Sequence, residues 1–204
     1  MKKNLIIFGA ASALARGSLE SFLHEGYDKI YLFDRHPFQL PGNPENVSFY
    51  KTEDLTNPVN MDKAFSNIEP DMGTLYFLLN TIGGFSAGLK VWDSDPSEVN
   101  KMLDMNFHIS YSIARCFGNL VSKSAGGSIC FVSSMTSFSA ESNKAAYGIS
   151  KNALNYLVEV LALEGRDINM TVNAIAPFIL DTEINRSWIT QETDLISPRE
   201  AGQL

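Results

Sequence analysis

The chain has 204 residues, of which 45% are hydrophobic and 19% charged, a composition and length that predict one globular domain over residues 1–204. Its net charge is −7 at pH 7 and no run of lysine or arginine occurs, which argues against a nucleic-acid partner. No apolar stretch is long enough to span a bilayer, and the segment before Gly9 is too short for the apolar core of a signal peptide. We therefore expect a cytoplasmic protein without a membrane partner.

Neither the cysteines nor the histidines have the spacing of a metal site. Cys116 and Cys130 lie in apolar surroundings, so we expect reduced core residues rather than a disulfide. His24, His36 and His108 show no ligand spacing between them. The sequence predicts no metal centre.

The first candidate ligand site is the turn after the first predicted strand. Leu5–Phe8 is a continuous apolar run, typical of a strand buried on both faces of a parallel sheet, and it ends at Gly9. A helix then reaches about His24, with Ser12 as its cap. Such a turn suits a pyrophosphate, because backbone N–H groups and the helix dipole point at the anion. A tight turn without a ligand fits the same residues equally well.

The second predicted strand ends in an acidic residue. Lys29–Asp34 is followed by Arg35, and Asp34 comes 25 residues after Gly9. In dinucleotide-binding folds an acid here bonds the adenosine ribose and repels a 2′-phosphate, which favours NAD. Arg35 could instead attract that phosphate and favour NADP. Asp34 could also be a solvated carboxylate at a strand end.

The remaining predicted elements alternate strands with helices. After a loop over 37–44 come a strand Val47–Tyr50, a helix Met61–Ile68, a strand Thr74–Leu79, a long helix from Asp95 through Phe117, a strand Ser128–Val132, a helix around Tyr147 and a strand Met170–Ala174. This alternation predicts an α/β fold, a Rossmann-like doubly wound parallel sheet with helices on both faces. Polar and turn residues would then share the carboxyl edge of the sheet: Gly9, Asp34, Asn80, Ser134 and Pro177.

Two helices carry polar residues that need an explanation. Tyr147 and Lys151 are four residues apart and share one helix face, so an ammonium lies near a phenol and favours its ionisation. Such a tyrosine can exchange a proton with an alcohol or carbonyl group near neutral pH. Asn106 lies among apolar neighbours of the long helix, where its amide either bonds a backbone carbonyl at a kink or holds a water for proton transfer.

The C-terminal end of the predicted fold is shortened. Ser197, Pro198 and Glu200 form the start signal of a helix, yet the sequence stops at Leu204 after about one turn. A helix that short has little stability of its own. We expect that the sequence is clipped there or that a partner completes this end.

Taken together, these residues resemble the short-chain dehydrogenase/reductase family over nearly the whole chain. The family's tetrad of asparagine, serine, tyrosine and lysine maps onto Asn106, Ser134, Tyr147 and Lys151. The resemblance implies that Tyr147 is the acid/base, that Lys151 lowers its pKa and holds the nicotinamide ribose, that Ser134 bonds the substrate oxygen, and that Asn106 keeps a relay water.

Further family motifs imply a cofactor site. The family's strand-end Asn-Asn-Ala-Gly resembles 80–83, its Asp-x-Thr motif resembles 54–56, and its Asn-x-x-x-Pro-Gly stretch resembles 173–178. The resemblance implies NAD or NADP as the cofactor, with NAD favoured, and the following contacts: Gly9, Ser12, Ala13, Leu14, Asp34, Arg35, Asp54, Leu55, Asn80, Thr81, Ile82, Tyr147, Lys151, Pro177, Phe178, Ile179 and Thr182.

The sequence departs from the family pattern in three places. Only one of the three glycines of the first turn is present, with Ala13 and Ala15 at the other two positions, and Phe178 replaces a glycine beside the nicotinamide. The family also continues into a further helix and strand. These departures motivate an alternative function, a dinucleotide-binding sensor or scaffold without turnover, and a third, an interaction protein without a cofactor.

The predicted function is hydride transfer between a nicotinamide cofactor and a small-molecule carbonyl compound or secondary alcohol. The substrate would lie under an apolar loop from Phe178 to about Thr193, which includes Ile184, Trp188 and Ile189; the same side chains could simply pack on the chain end. The resemblance further implies a homodimer or homotetramer through the helices that contain Asn106 and Tyr147.

Overall fold

The structure, a computed structural model, describes residues 1–37, 42, 44–186 and 195–202. Its strands are β1 Lys2–Phe8, β2 Lys29–Asp34, β3 Val47–Lys51, β4 Thr74–Asn80, β5 Gly126–Val132 and β6 Met170–Ile175. The helices are α1 Ala13–His24, α2 Pro58–Phe65, α3 Ser97–Leu103, α4 Ile109–Val121, α5 Ala145–Glu164, α6 Glu183–Arg186 and α7 Pro198–Ala201. The strands form one parallel sheet in the order β3-β2-β1-β4-β5-β6, which confirms the predicted doubly wound fold.

Helices cover both faces of the sheet, as the alternation of β1 side chains requires. Ile6 and Phe8 face the larger core, which contains side chains of α2, α4 and α5. Leu5 and Ile7 face the opposite way, onto the side chains of α1. Because β1 is central and apolar on both sides, it anchors both cores.

The crossover in strand order lies at the carboxyl end of β1. Phe8 pairs with Phe33 of β2 on one side and with Asn80 of β4 on the other, so the residues that follow these three strands meet at one edge. In open α/β sheets, ligands bind at such a switch point.

Two helix boundaries differ from the prediction. α2 begins at Pro58 rather than Met61, because the Asn57 side chain accepts a hydrogen bond from the Val59 N–H (3.0 Å) and Pro58 occupies the first turn. The predicted long helix is not one regular α-helix, since a π-helical turn over Asp104–His108 separates α3 from α4.

The predicted C-terminal helix, α7, is one turn long and packs on α1. Ser197 and Glu200 form a capping box, with the Glu200 N–H donating to the Ser197 hydroxyl at 3.1 Å. A Cβ on Gly17 would lie 2.7 Å from the Pro198 carbonyl carbon, so a glycine in α1 permits this close approach. The stabilising contact of α7 is therefore made within the chain.

In the described part of the chain, no helix has both the length and the apolar character needed to cross a bilayer. The same residues contain no group of three His, Cys, Asp or Glu side chains that could hold a metal ion. Both cysteines are reduced thiols, as predicted. Most of the predicted 37–44 loop, together with Trp188 and Ile189 of the predicted substrate loop, lies outside the described residues.

Candidate active site

The turn after β1 is closed by a glycine that no other residue could replace without strain. Gly9 has φ +78°, and a Cβ there would lie 2.6 Å from the Thr81 Oγ1. Ser12 caps α1 as predicted, because its Oγ accepts from the Ala15 N–H (3.1 Å). Its hydroxyl also donates to the Thr81 Oγ1 (2.9 Å), which ties the turn to the end of β4. The result is a rigid turn with the first amides of α1 beside it.

The replaced glycine positions of this turn differ in exposure. Ala13 is exposed, whereas Ala15 is buried and its methyl group belongs to the core under α1. The Ala15 side chain therefore points away from the turn. Leu14 is also buried, so its predicted cofactor contact stays a prediction for its backbone atoms.

Asp34 is held in place beneath the turn. Its Oδ2 accepts from the Ala11 N–H and its Oδ1 from the His36 N–H, each at 2.8 Å, and its side chain is only 11% exposed. Asp34 is therefore not the solvated strand-end carboxylate that the sequence left as an alternative to a ribose ligand. Arg35 points instead toward the exposed Asp54, with Nη2 3.6 Å from Oδ1.

Asp54 and Leu55, two predicted cofactor contacts, differ in exposure. Asp54 Oδ1 accepts from the Thr56 N–H (3.1 Å) and hydroxyl (2.9 Å), and these hydrogen bonds lower the pKa of the carboxyl group. Leu55 is buried in the larger core, because it begins the turn that packs α2 against the sheet. Its side chain therefore faces the core, and the predicted cofactor contact stays a prediction for its backbone atoms.

Both polar atoms of the Asn80 side chain hydrogen-bond to other residues of the protein. Its Nδ2 donates to the Ser110 Oγ (3.0 Å) and its Oδ1 accepts from the Ile82 N–H (3.1 Å), and it is buried. The amide fastens the end of β4 to α4 and shapes the following segment. The predicted cofactor contact of Asn80 stays a prediction.

Asn106 lies in the π-helical turn and braces the glycine pair after β4. Its Oδ1 accepts from the Gly84 N–H (2.9 Å), and its Nδ2 donates to the Gly84 carbonyl (3.0 Å) and to the Ser150 Oγ (3.0 Å). The sequence left two alternatives for this amide, a bond to a backbone carbonyl at a kink or a hold on a relay water. The buried Asn106 makes the first of these contacts, at an irregular turn of the helix.

Ser134, Tyr147 and Lys151 meet where β5 ends and α5 begins. The Ser134 hydroxyl lies near enough to the Tyr147 phenol to lower the pKa of that phenol, and its Oγ accepts from the Thr136 N–H at 3.3 Å. Lys151 is 4% exposed, and its ammonium donates to the Val132 carbonyl at 2.7 Å. Its Nζ lies 6.0 Å from the centre of the Tyr147 ring. The predicted grouping of hydroxyl, phenol and ammonium is therefore present.

The pKa values at this site correct one expectation. Burial lowers the pKa of Lys151 to about 8. Burial also raises the pKa of Tyr147, an effect that the nearby Ser134 hydroxyl opposes and the Glu141 carboxylate reinforces. We expected the ammonium to lower the phenol pKa, but in this structure the pKa is raised, with desolvation as the largest cause.

A cleft of ≈ 620 Å³ opens above these groups. Phe178 lines it yet is 61% exposed, so the residue that replaces the family's glycine leaves the cleft open. Phe85 stands edge-on to the Tyr147 ring, with centroids 4.9 Å apart. The other predicted site residues that line the cleft are Thr81, Ser134, Lys151, Pro177, Ile179 and Thr182.

Sequence reasoning missed several cleft residues, of which Lys144 is the most informative. Lys144 lines the cleft, and its Nζ donates to the Glu141 Oε2 at 2.6 Å. Glu141 in turn accepts from the Thr136 hydroxyl at 2.5 Å. Because Lys144 precedes Tyr147 by three residues at the start of α5, helical spacing alone could have placed it near the phenol.

Comparisons with known proteins agree with this architecture. An NAD-dependent glycerol dehydrogenase of Listeria innocua is 28% identical over 194 residues, which are 93% of this chain and 75% of that protein. A 7alpha-hydroxysteroid dehydrogenase of Escherichia coli is 28% identical over 123 residues, 60% of this chain and 48% of that protein. The chain thus spans about half the length of that second relative.

Solved structures show the same fold. A short chain dehydrogenase from Burkholderia cenocepacia in complex with NADP superimposes with a TM-score of 0.84 at 24% identity, covering 98% of this chain and 80% of that one. The structure of ElxO with NADP bound gives a TM-score of 0.87 at 23% identity, covering 100% of this chain and 89% of that one. The sequence profile of the short chain dehydrogenase family matches residues 3–193. The chain belongs to the short chain dehydrogenase family.

Proposed function

We propose that the protein is an oxidoreductase that transfers a hydride between a nicotinamide cofactor and a carbonyl compound or secondary alcohol, with Tyr147 as the acid/base. The observation that carries this proposal is the hydroxyl, phenol and ammonium of Ser134, Tyr147 and Lys151 at the wall of one open cleft. A structural role alone does not account for a lysine that is almost fully buried beside a phenol.

The turn after β1 fits the diphosphate of such a cofactor. Gly9 keeps the backbone in a left-handed conformation that leaves no room for a side chain, and Ser12 orders the first turn of α1. The buried Ala15 methyl group adds no bulk toward this turn. Gly9, Ser12 and Thr81 would hold the cofactor at one end and Lys151 at the other, and when bound it supplies or accepts the hydride.

The chain itself handles the proton. In the reduction direction the Tyr147 phenol donates its proton to the substrate oxygen, which Ser134 holds in a hydrogen bond. The Lys151 ammonium, with two donors beyond the one used on Val132, would bind a ribose hydroxyl and favour the phenolate that the transfer leaves. Asn106 keeps the adjoining glycine segment in place.

Asp34 supports a preference for NAD over NADP. Two backbone N–H groups fix its carboxylate at the end of β2, where the adenosine ribose would lie. A carboxylate there accepts from ribose hydroxyls and repels a 2′-phosphate. Arg35 pairs with Asp54 and is exposed, so it offers the phosphate little compensation.

We further propose a homodimer or homotetramer built on the outer faces of α4 and α5. Tyr111 of α4 and Tyr156 and Leu163 of α5 are large apolar side chains that these helices leave exposed. Sedimentation equilibrium would test this, and a monomer at micromolar concentration would contradict it.

The function is tested by titration with NADH and NADPH, followed by turnover assays on a panel of ketones and secondary alcohols. We expect binding and turnover with at least one member of the panel. Binding without turnover would favour the sensor alternative, and failure to bind either nucleotide would contradict both nucleotide-dependent functions.

A further inference from the structure

The cleft is unusual in its charge. Lysines 101, 144 and 151 line it, while the described lining residues include no carboxylate, although the whole chain has 23 acidic and only 16 basic residues. A concave site lined by one sign of charge raises the local concentration of oppositely charged molecules. Lys151 is already assigned to the cofactor and the phenol, which leaves Lys101 and Lys144 without a role.

Lys144 is the better placed of these two lysines. Its side chain is 22% exposed, and the carboxylate that accepts its hydrogen bond, Glu141, is held from behind by Thr136. An ammonium has three donors, so two remain for a ligand in the cleft. The Lys101 Nζ lies 3.9 Å from the Glu98 Oε1 and its side chain is largely exposed, so solvent screens its positive charge more strongly than that of Lys144.

An apolar surface lies between Lys144 and the reacting phenol. The Phe85 ring lies edge-on to the Tyr147 ring, with centroids 4.9 Å apart. The Lys144 Nζ lies 6.0 Å from the centre of the Phe85 ring. Met105 and Leu180 also line the cleft. A molecule whose carbonyl group reaches Tyr147 would thus lay a hydrocarbon segment on Phe85 before it reaches the ammonium.

We propose that the substrates are oxocarboxylates and the corresponding hydroxycarboxylates, with Lys144 binding the carboxylate; this inference rests on the proposed oxidoreductase function. A monoanion fits better than a phosphate dianion, because the Lys144 charge is shared with Glu141 and that of Lys101 with Glu98. In the reduction direction the carbonyl carbon receives the hydride, the carbonyl oxygen receives the Tyr147 proton, and NADH leaves as NAD⁺. The carboxylate is unchanged.

The test uses matched pairs of compounds. Oxocarboxylates with two, three or four methylene groups between the ketone and the carboxylate are each compared with the isosteric carboxamide, in the presence of NADH. For at least one pair we expect kcat/KM to favour the carboxylate by about tenfold or more, as a charge-assisted hydrogen bond does. The preference should appear mainly in KM and should weaken as the salt concentration rises.

Variants assign the preference to one residue. Lys144→Met keeps the length of the side chain and removes the charge, so the ratio of carboxylate to carboxamide should fall toward one. Lys123→Met, at an exposed lysine that does not line the cleft, should leave the ratio unchanged. Because each variant is judged by a ratio, a general loss of stability or of Tyr147 function cancels.

The outcomes separate the two proposals. Equal turnover of carboxylates and carboxamides by the native protein, or a preference that survives Lys144→Met, would overturn the assigned substrate class and leave the oxidoreductase function intact. If neither member of any pair nor any ketone of the wider panel reacts while NADH is bound, the oxidoreductase function fails and this inference fails with it.

Discussion

The cofactor preference rests on one carboxylate, and Asp34→Asn tests it with little change of shape. An asparagine keeps an acceptor oxygen for the Ala11 or His36 N–H but removes the negative charge. We expect the variant to lose discrimination against NADPH while it retains affinity for NADH within a few-fold.

The size of the effect follows from the surroundings of the carboxylate. Two unit charges about 4 Å apart repel by about 4 kcal/mol at the effective dielectric constant of about 20 that suits a partly buried site. The 2′-phosphate itself would face solvent, and counterions reduce the repulsion although the Asp34 side chain is largely buried. We therefore expect about half of that energy, which is about 30-fold in the ratio of the NADPH and NADH dissociation constants.

The assay is fluorescence titration of native protein and variant with each reduced nucleotide at constant ionic strength. Glu53→Gln is the matched control, since Glu53 is an exposed carboxylate in the segment that follows β3 and is not paired with Arg35. The control should change the ratio much less. If Asp34→Asn leaves the ratio unchanged, or if the native protein binds NADPH more tightly than NADH, the assigned role of Asp34 is wrong.

Three further predictions concern the groups around the phenol. Glu141→Gln removes a negative charge and should lower the pKa of Tyr147. Alcohol oxidation needs the phenolate, so kcat/KM for this reaction should rise at lower pH in the variant than in the native protein. An unmoved pH profile would show that Glu141 does not act on the phenol. The pKa of Lys151 is about 8 in the folded protein, against 10.5 for an unperturbed lysine. Between these two pH values the unfolded chain therefore binds more protons than the folded protein does. The free energy of unfolding should rise with pH across this window, by about 3 kcal/mol at most. Urea titrations at both ends of the window should show this rise in the native protein and not in Lys151→Met, and a parallel dependence in the two would refute it. Asn106→Ala leaves both backbone groups of Gly84 without their partner and should lower the free energy of unfolding by about 2–4 kcal/mol in urea titrations; a loss below about 0.5 kcal/mol would contradict the bracing role.

The fold could be predicted from the sequence because its signals are local and redundant. The bounds of β2, Lys29–Asp34, agree with the prediction, since an apolar run ends at a charged residue on each side. α2 was placed three residues late, because the prediction followed apolar periodicity and overlooked the cap at Asn57. Periodicity reports which face of a helix is buried and does not mark its first residue.

The candidate site was predictable only in part, because its properties depend on burial. The grouping of Ser134, Tyr147 and Lys151 followed from motifs. The direction of the Tyr147 pKa shift did not, since it is set by the burial of the phenol and by the nearby Glu141 carboxylate, which motif spacing does not report. The orientation of Leu55 into the core was likewise invisible in a motif that records only spacing. Lys144 was overlooked because a lone lysine before a helix is most often solvated.

The most direct test of the account is Tyr147→Phe compared with Tyr156→Phe. Tyr156 is on the outer face of the same helix, away from the cleft, and a phenylalanine keeps the ring that the proposed subunit contact uses, so the variant controls for the loss of a hydroxyl group from α5. We predict that Tyr147→Phe lowers kcat by about 10²-fold or more with the dissociation constant of NADH nearly unchanged, while Tyr156→Phe keeps native activity. A Tyr147→Phe protein that retains native turnover would contradict the assignment of this phenol as the acid/base.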